Sequence, residues 1–112
     1  LPDMITFSPD GKWVLTANEG QPNANYSVDP EGSISIIDLG VGIANLTQNN
    51  VRTAFFTSFN AQENSLINSG VRKLKLSSTL SQDFEPEYIT VNSNSTKAWV
   101  SLQENNAIAE ID

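Results

Sequence analysis

Seven acidic side chains have the type and position to bind a cation, and they carry the clearest chemistry in this chain. A calcium ion takes about six to eight oxygen ligands, which carboxylates, amides and backbone carbonyls can supply. The chain contains no histidine and no cysteine, so a metal held here would have oxygen ligands only, which favours calcium. The predicted metal ligands are Glu19, Asp29, Glu31, Asp83, Glu85, Glu87 and Glu104. The alternative interpretation is that each is a solvated loop residue, since acids are common in turns.

Two of these acids flank a proline, in the segment Glu85-Pro86-Glu87. A residue before proline is held extended, so both carboxylates can point towards one site. Such a pair could also act as general acid and base if their pKa values were pushed apart. The spacing alone is common in proteins, so the catalytic role of this pair is an alternative to metal binding.

Composition excludes several classes of function. With 13 acidic residues against 6 basic ones, the formal net charge is −7, which argues against binding nucleic acid or an anionic membrane surface. Without histidine and cysteine, the chain cannot complete a Ser-His-Asp or Cys-His catalytic group. No apolar run approaches the length of a membrane span.

Three sequons for N-glycosylation lie in predicted loops or turns, where a glycan would be tolerated. The acceptor residues are Asn25, Asn45 and Asn94.

The elements that would position the acids come from a repeat. Residues 5–19 have a counterpart in residues 89–104, and each copy is followed by a third matching piece, residues 33–38 and residues 107–112. Repeated strand–turn–strand–loop–strand units are typical of radial architectures such as the β-propeller. The turn at 92–96 reads as one residue longer than its counterpart.

The first repeat contains four predicted strands, at 4–8, 13–17, 33–39 and 51–59, which together make one antiparallel blade. A short helix is predicted at 61–69, and an exposed edge strand at 71–76 with Lys73 and Lys75 protecting the edge. We therefore predict an all-β fold, a partial propeller of about two blades. The predicted units are a blade at 1–59, an insertion at 60–84 and a second, incomplete blade at 85–112. Because two blades cannot close a ring, the remaining blades are expected from the same protein or from neighbouring chains.

In a propeller, loops at one rim converge on the central channel, so acids far apart in sequence can meet there. Glu19 and Glu104 end the second strand of each blade, whereas Glu85 and Glu87 precede an innermost strand. This placement predicts that the seven acids gather at one opening.

Several segments closely resemble the choice-of-anchor I family. They are LPDMITFSPDG at 1–11, ANEG at 17–20, DPEGSISIIDL at 29–39, DFEPEYI at 83–89 and LQENNA at 102–107. The resemblance covers nearly the whole chain and implies a secreted or surface-attached seven-bladed propeller. Members include mesenchyme-specific cell-surface glycoproteins and atypical, alkaline phosphatase-like proteins. The chain departs from the family pattern at 92–96, where Asp-Gly is usual.

Three functions remain open at this point. The first is a segment of an extracellular or cell-surface propeller that binds calcium and acts as an interaction module, with a protein or glycan ligand. The second is part of a metal-dependent phosphoesterase. The third is a structural subunit of an extracellular assembly whose blades are completed by neighbouring chains.

Overall fold

The computed structural model describes residues 1–112 and contains two antiparallel sheets. In each sheet, adjacent strands are consecutive in sequence. This arrangement confirms the predicted all-β, partial propeller-like fold. Sheet A consists of β1 (Pro2–Phe7), β2 (Trp13–Asn18), β3 (Ser33–Asp38) and β4 (Val51–Phe55), and sheet B of β5 (Tyr88–Val91), β6 (Ala98–Leu102) and β7 (Ala107–Ile111).

The connection between the sheets contains two helical segments, the first of which begins as a 3-10 helix. It contains α1 (Glu63–Asn68) and α2 (Leu80–Asp83), together with a 3-10 helix at Thr57–Gln62. Two further 3-10 turns, Ile43–Asn45 and Gln48–Asn50, precede β4. The helix predicted at 61–69 is therefore present, but the strand predicted at 51–59 ends at Phe55.

The core lies between the two sheets. It combines Leu15, Ala17 and Ile34 of sheet A with Ile89, Val100 and Leu102 of sheet B, alternating along each strand as a half-buried sheet requires. The connection adds Phe56, Leu80 and Phe84, and the rings of Phe56 and Phe84 meet edge to face at 5.3 Å. Each fully buried aliphatic side chain contributes about 1.5–3 kcal/mol of transfer free energy, so this cluster holds the sheets together.

The two inner hairpins have the same turn. In one, the Ser8 amide donates to the Trp13 carbonyl; in the other, the Asn92 amide donates to the Lys97 carbonyl. Both turns are therefore the same length, and the prediction that the second is one residue longer is wrong. Ser95 takes a positive φ of 56° in the second turn, which lets it stand where Gly11 stands in the first.

Residues 71–76 do not form the predicted edge strand. The segment has no regular secondary structure, and its amides bond to partners outside any sheet: Arg72 donates to the Asn105 carbonyl, and Leu74 and Lys75 donate to the Asp83 carboxylate. The side-chain pattern is also inverted, since Lys75 is half-buried whereas Leu76 is 91% exposed. Lys73 and Lys75 therefore form ion pairs within the molecule and do not protect a sheet edge.

Candidate functional site: an acidic pocket at the loop end of the sheets

The two inner hairpin turns lie together, because the Asp10 amide donates to Ser95 Oγ at 3.1 Å. The loops that follow β2 and β6 and precede β5 consequently share the opposite end of the molecule. A polar pocket of about 520 Å³ opens there. Its charged walls are Glu19, Lys75, Asp83, Glu85 and Glu104, which come from the loop after β2, the connection, the segment before β5 and the turn after β6.

Lys75 supplies the positive charge of this acidic pocket. Its Nζ lies 3.4 Å from Asp29 Oδ1 and 3.6 Å from Glu85 Oε1, and 5.3 Å from the centre of the Tyr26 ring. Burial alone would lower the pKa of Lys75, but the charges of Asp29, Glu85 and Asp83 outweigh burial and raise that pKa. Lys75 therefore stays ionised and partly neutralises the pocket.

The carboxylates of the segment before β5 repel their neighbours. Burial raises the pKa of Glu85, and the nearby charges of Glu104 and Glu19 raise it further, against the opposing effect of Lys75. The pKa of Glu87 is likewise raised, first by burial and then by Glu104, Asp3 and Glu19. The surrounding acids thus make ionisation of Glu85 and Glu87 less favourable.

Glu87 has no cationic partner, so its charge is expected to oppose folding. A carboxyl group whose pKa is higher in the folded than in the unfolded chain contributes stability at low pH, and this contribution is lost as the pH rises from about 4.5 through the folded-state pKa. We expect Glu87→Gln to raise the free energy of unfolding at pH 7 by about 0.5 kcal/mol or less, with no gain at pH 3. Urea unfolding at the two pH values measures this difference.

Glu110→Gln is the matched control for Glu87→Gln. Hydrogen bonds from Lys97 and Trp99 lower the pKa of Glu110, so its removal should decrease stability at neutral pH. Equal responses of the two variants at pH 7 would contradict the proposed repulsion around Glu87.

Two of the predicted ligands are occupied by structural hydrogen bonds. Asp83 is 2% exposed, and its carboxylate accepts the amides of Leu74 and Lys75 at 2.8 Å each and Asn105 Nδ2 at 2.9 Å. Glu31 accepts Ser81 Oγ at 2.7 Å and Thr57 Oγ1 at 3.3 Å. Both carboxylates therefore hold loops in place in this conformation.

The seven predicted ligands thus divide by location. Glu19, Asp83, Glu85 and Glu104 line the pocket, and Asp29 contacts its Lys75. Glu87 lies close enough to Glu104 and Glu19 for their charges to add to the burial that raises its pKa, whereas Glu31 is bonded to Ser81 and Thr57. No group of three or more acidic side chains is arranged to hold a metal ion in this conformation. The role of Lys75 could not be predicted from the sequence, because a lysine in a local pattern gives no sign of the carboxylates that folding brings next to it.

The three predicted glycosylation acceptors are all exposed. Asn25 lies in the loop between β2 and β3, where its Oδ1 accepts from the amide and hydroxyl of Ser27. Asn45 ends the first 3-10 turn, and Asn94 lies at the tip of the β5–β6 hairpin. Glycosylation at these residues stays a prediction.

Two sheets built from the same hairpin, with loops sharing one end, define an all-β domain of partial propeller-like form. The chain belongs to the choice-of-anchor I family, because the family model described as "Choice-of-anchor I domain" matches residues 1–112. Choice-of-anchor domains are found in cell-surface or secreted proteins. No curated protein and no solved structure gives a significant match. None of the helices has the length and hydropathy needed to cross a bilayer.

Proposed function

We propose that this chain is part of an extracellular or cell-surface β-propeller that acts as an interaction module and binds a divalent cation, calcium, at its acidic pocket. The observation that supports this proposal is the convergence of Glu19, Glu85 and Glu104 on one pocket from three separate segments. Acids placed together from distant parts of the sequence impose an electrostatic cost on the fold, and a bound cation removes that cost.

The pocket offers the kind of ligands that calcium uses. Besides the acidic residues, Gln21 and Asn23 line the pocket, and both carry an amide oxygen of the kind that calcium binds. Calcium accepts irregular oxygen shells, whereas magnesium demands a near-ideal octahedron. Because the acids are not already grouped as ligands, binding has to draw them together and displace Lys75 from Glu85. We therefore expect a dissociation constant of about 10⁻⁴–10⁻³ M, the range of extracellular calcium modules.

Calcium titration of the chain tests this proposal. With a dissociation constant of about 1 mM, 10 mM calcium is expected to raise the free energy of unfolding by about 1.4 kcal/mol. Thermal unfolding and isothermal titration calorimetry, at constant ionic strength, measure the stabilisation and the affinity. Glu19→Gln and Glu85→Gln should each weaken binding by about tenfold or more, since each removes a charged ligand.

Glu63→Gln is the matched control, because Glu63 pairs with Lys73 and does not line the pocket. An equal loss of affinity in this variant, or a calcium response that magnesium reproduces fully, would contradict a specific site at the pocket.

An exposed apolar sheet face supports the role in interaction. Ile5 pairs with Thr16 in sheet A, and Ile89 pairs with Val100 at the equivalent position in sheet B. The sheet face that carries Ile5 is therefore equivalent to the face that carries Ile89. In sheet B the face with Ile89 is buried, whereas Ile5 and Phe7 on the matching face of sheet A are each 63% exposed. The packing of sheet B thus suggests that a further sheet, from the same protein or from a neighbouring chain, covers this face.

The phosphoesterase hypothesis stays a prediction. Turnover of p-nitrophenyl phosphate by the intact protein, with and without calcium, separates it from the interaction module. If activity is found, its loss in Glu85→Gln and Glu87→Gln would place the chemistry at the segment before β5.

A further inference from the structure

A second cavity, of about 210 Å³, lies between the two sheets at the hairpin-turn end, away from the acidic pocket. Its walls are mainly apolar. Trp13, Leu15 and Ile36 come from sheet A, and Val91, Ala98 and Ile111 come from sheet B. The contact between the two turns closes one side, so the cavity is a wedge with an apolar lining.

Arg52 is the unneutralised charge of this cavity. Its guanidinium carbon lies 5.3 Å from the centre of the Trp13 ring, and no carboxylate lies within 4.0 Å of it. The other cation at the cavity, Lys97, is paired with Glu110 and with Asp112, which also lines the wall. A free guanidinium in a chain of net charge −7 is therefore stacked over an aromatic wall beside an apolar space.

We propose that this cavity binds a small aromatic monocarboxylate, with the ring inside the wedge and the carboxylate on Arg52. The volume limits the ligand: a benzene ring fits a cavity of about 150 Å³, whereas drug-sized ligands use about 300–1,000 Å³. One ring with a short acid side chain therefore fits the available space. The guanidinium supplies two parallel N–H donors for a carboxylate, and the Trp13 indole supplies a face or edge for the ring.

This proposal is independent of the acidic pocket. The two sites lie at opposite ends of the sheets, and no residue lines both. A failure to bind calcium would therefore not contradict the proposed carboxylate site, and a failure to bind the carboxylate would not contradict the proposed calcium site.

Titration of the isotope-labelled chain with phenylacetate, followed by NMR, tests the site. The two indole N–H signals give an internal control, because Trp13 lines the cavity whereas Trp99 faces away from sheet A on the other side of sheet B. We expect the Trp13 signal to shift and the Trp99 signal to stay. Phenylacetamide, which has the same shape without the charge, should bind at least tenfold more weakly.

Arg52→Gln should abolish the preference for the acid over the amide, and Arg72→Gln, at the other end of the molecule, should leave the preference intact. If Arg52→Gln does not fold, the wild-type chain provides the same test, because rising salt should narrow the difference between acid and amide. Equal affinities for the two compounds at low salt, no shift of Trp13 at several millimolar phenylacetate, or equal shifts of both tryptophans would overturn the proposal.

Discussion

Replacing Asp83 by alanine is expected to lower the free energy of unfolding by about 3–5 kcal/mol, the largest loss among the polar residues of this chain. The carboxylate accepts hydrogen bonds from the amides of Leu74 and Lys75 and from the side chain of Asn105. Alanine would leave the amides of Leu74 and Lys75 without an acceptor in a place where Asp83 itself is only 2% exposed, whereas Asn105 Nδ2 would keep the carbonyls of Arg72 and Asp83 as acceptors. Each unsatisfied buried donor costs about 1–3 kcal/mol.

The loss should be visible both globally and locally. Urea unfolding measures the free energy, and amide hydrogen exchange should show that Leu74 and Lys75 lose protection first. Asp83→Asn keeps one acceptor oxygen, so we expect an intermediate loss. Asp112→Ala is the control, because that side chain is 81% exposed and should change stability by about 0.5 kcal/mol or less. An Asp83→Ala variant as stable as this control would show that the hydrogen bonds do not hold residues 71–76.

Gly32→Ala is expected to produce the second large effect, a loss of about 3 kcal/mol. A Cβ atom on Gly32 would lie 2.2 Å from the Phe84 carbonyl oxygen and 2.6 Å from Pro86 Cδ. Neither neighbour can move easily, because Phe84 is 3% exposed and its amide is bonded to the Leu80 carbonyl. The methyl group should therefore push residues 84–86 away from β3 and displace Glu85 from the pocket.

Thermal or urea unfolding measures the stability of Gly32→Ala, and calcium titration of the folded variant measures the displacement of Glu85. Gly11→Ala is the matched control: a Cβ there would meet nothing within 4 Å, although its φ of +69° makes alanine strained. That strain costs about 1 kcal/mol, so Gly32→Ala should be clearly the less stable of the two. The opposite order would mean that the contact between Gly32 and Phe84 is readily relieved.

Local patterns were sufficient to predict the hairpins and the third strand of each sheet. Alternation of apolar residues and the turn residues after Phe7 specify a strand–turn–strand unit, whatever packs against it. The second turn was harder to predict, because Asn92 to Ser95 lacks the Asp-Gly of the first. Instead, the Asn92 side chain stabilises this turn, because its Oδ1 accepts hydrogen bonds from the backbone amides of Thr96 and Lys97.

The segment 71–76 shows where periodicity misleads. Its sequence suggests an exposed strand with lysines towards solvent, yet Lys73 pairs with Glu63 at 2.8 Å and its side chain is only 8% exposed. A lysine can be buried when a carboxylate partner is near, and its stem then packs like an apolar chain. The partner lies ten residues away across α1 and its loop, so nothing in the local pattern identifies it.

The all-β architecture, the repeat and the loops in which the acids lie can all be predicted without coordinates, because they follow from short-range alternation and turn chemistry. Which acids remain free of structural hydrogen bonds depends on long-range contacts in the folded molecule. Asp83 and Glu31 became acceptors for buried donors, whereas Glu19, Glu85 and Glu104 came to share a pocket with Lys75. A carboxylate's role depends on its nearest donors and charges, and folding brings those from residues far away along the chain.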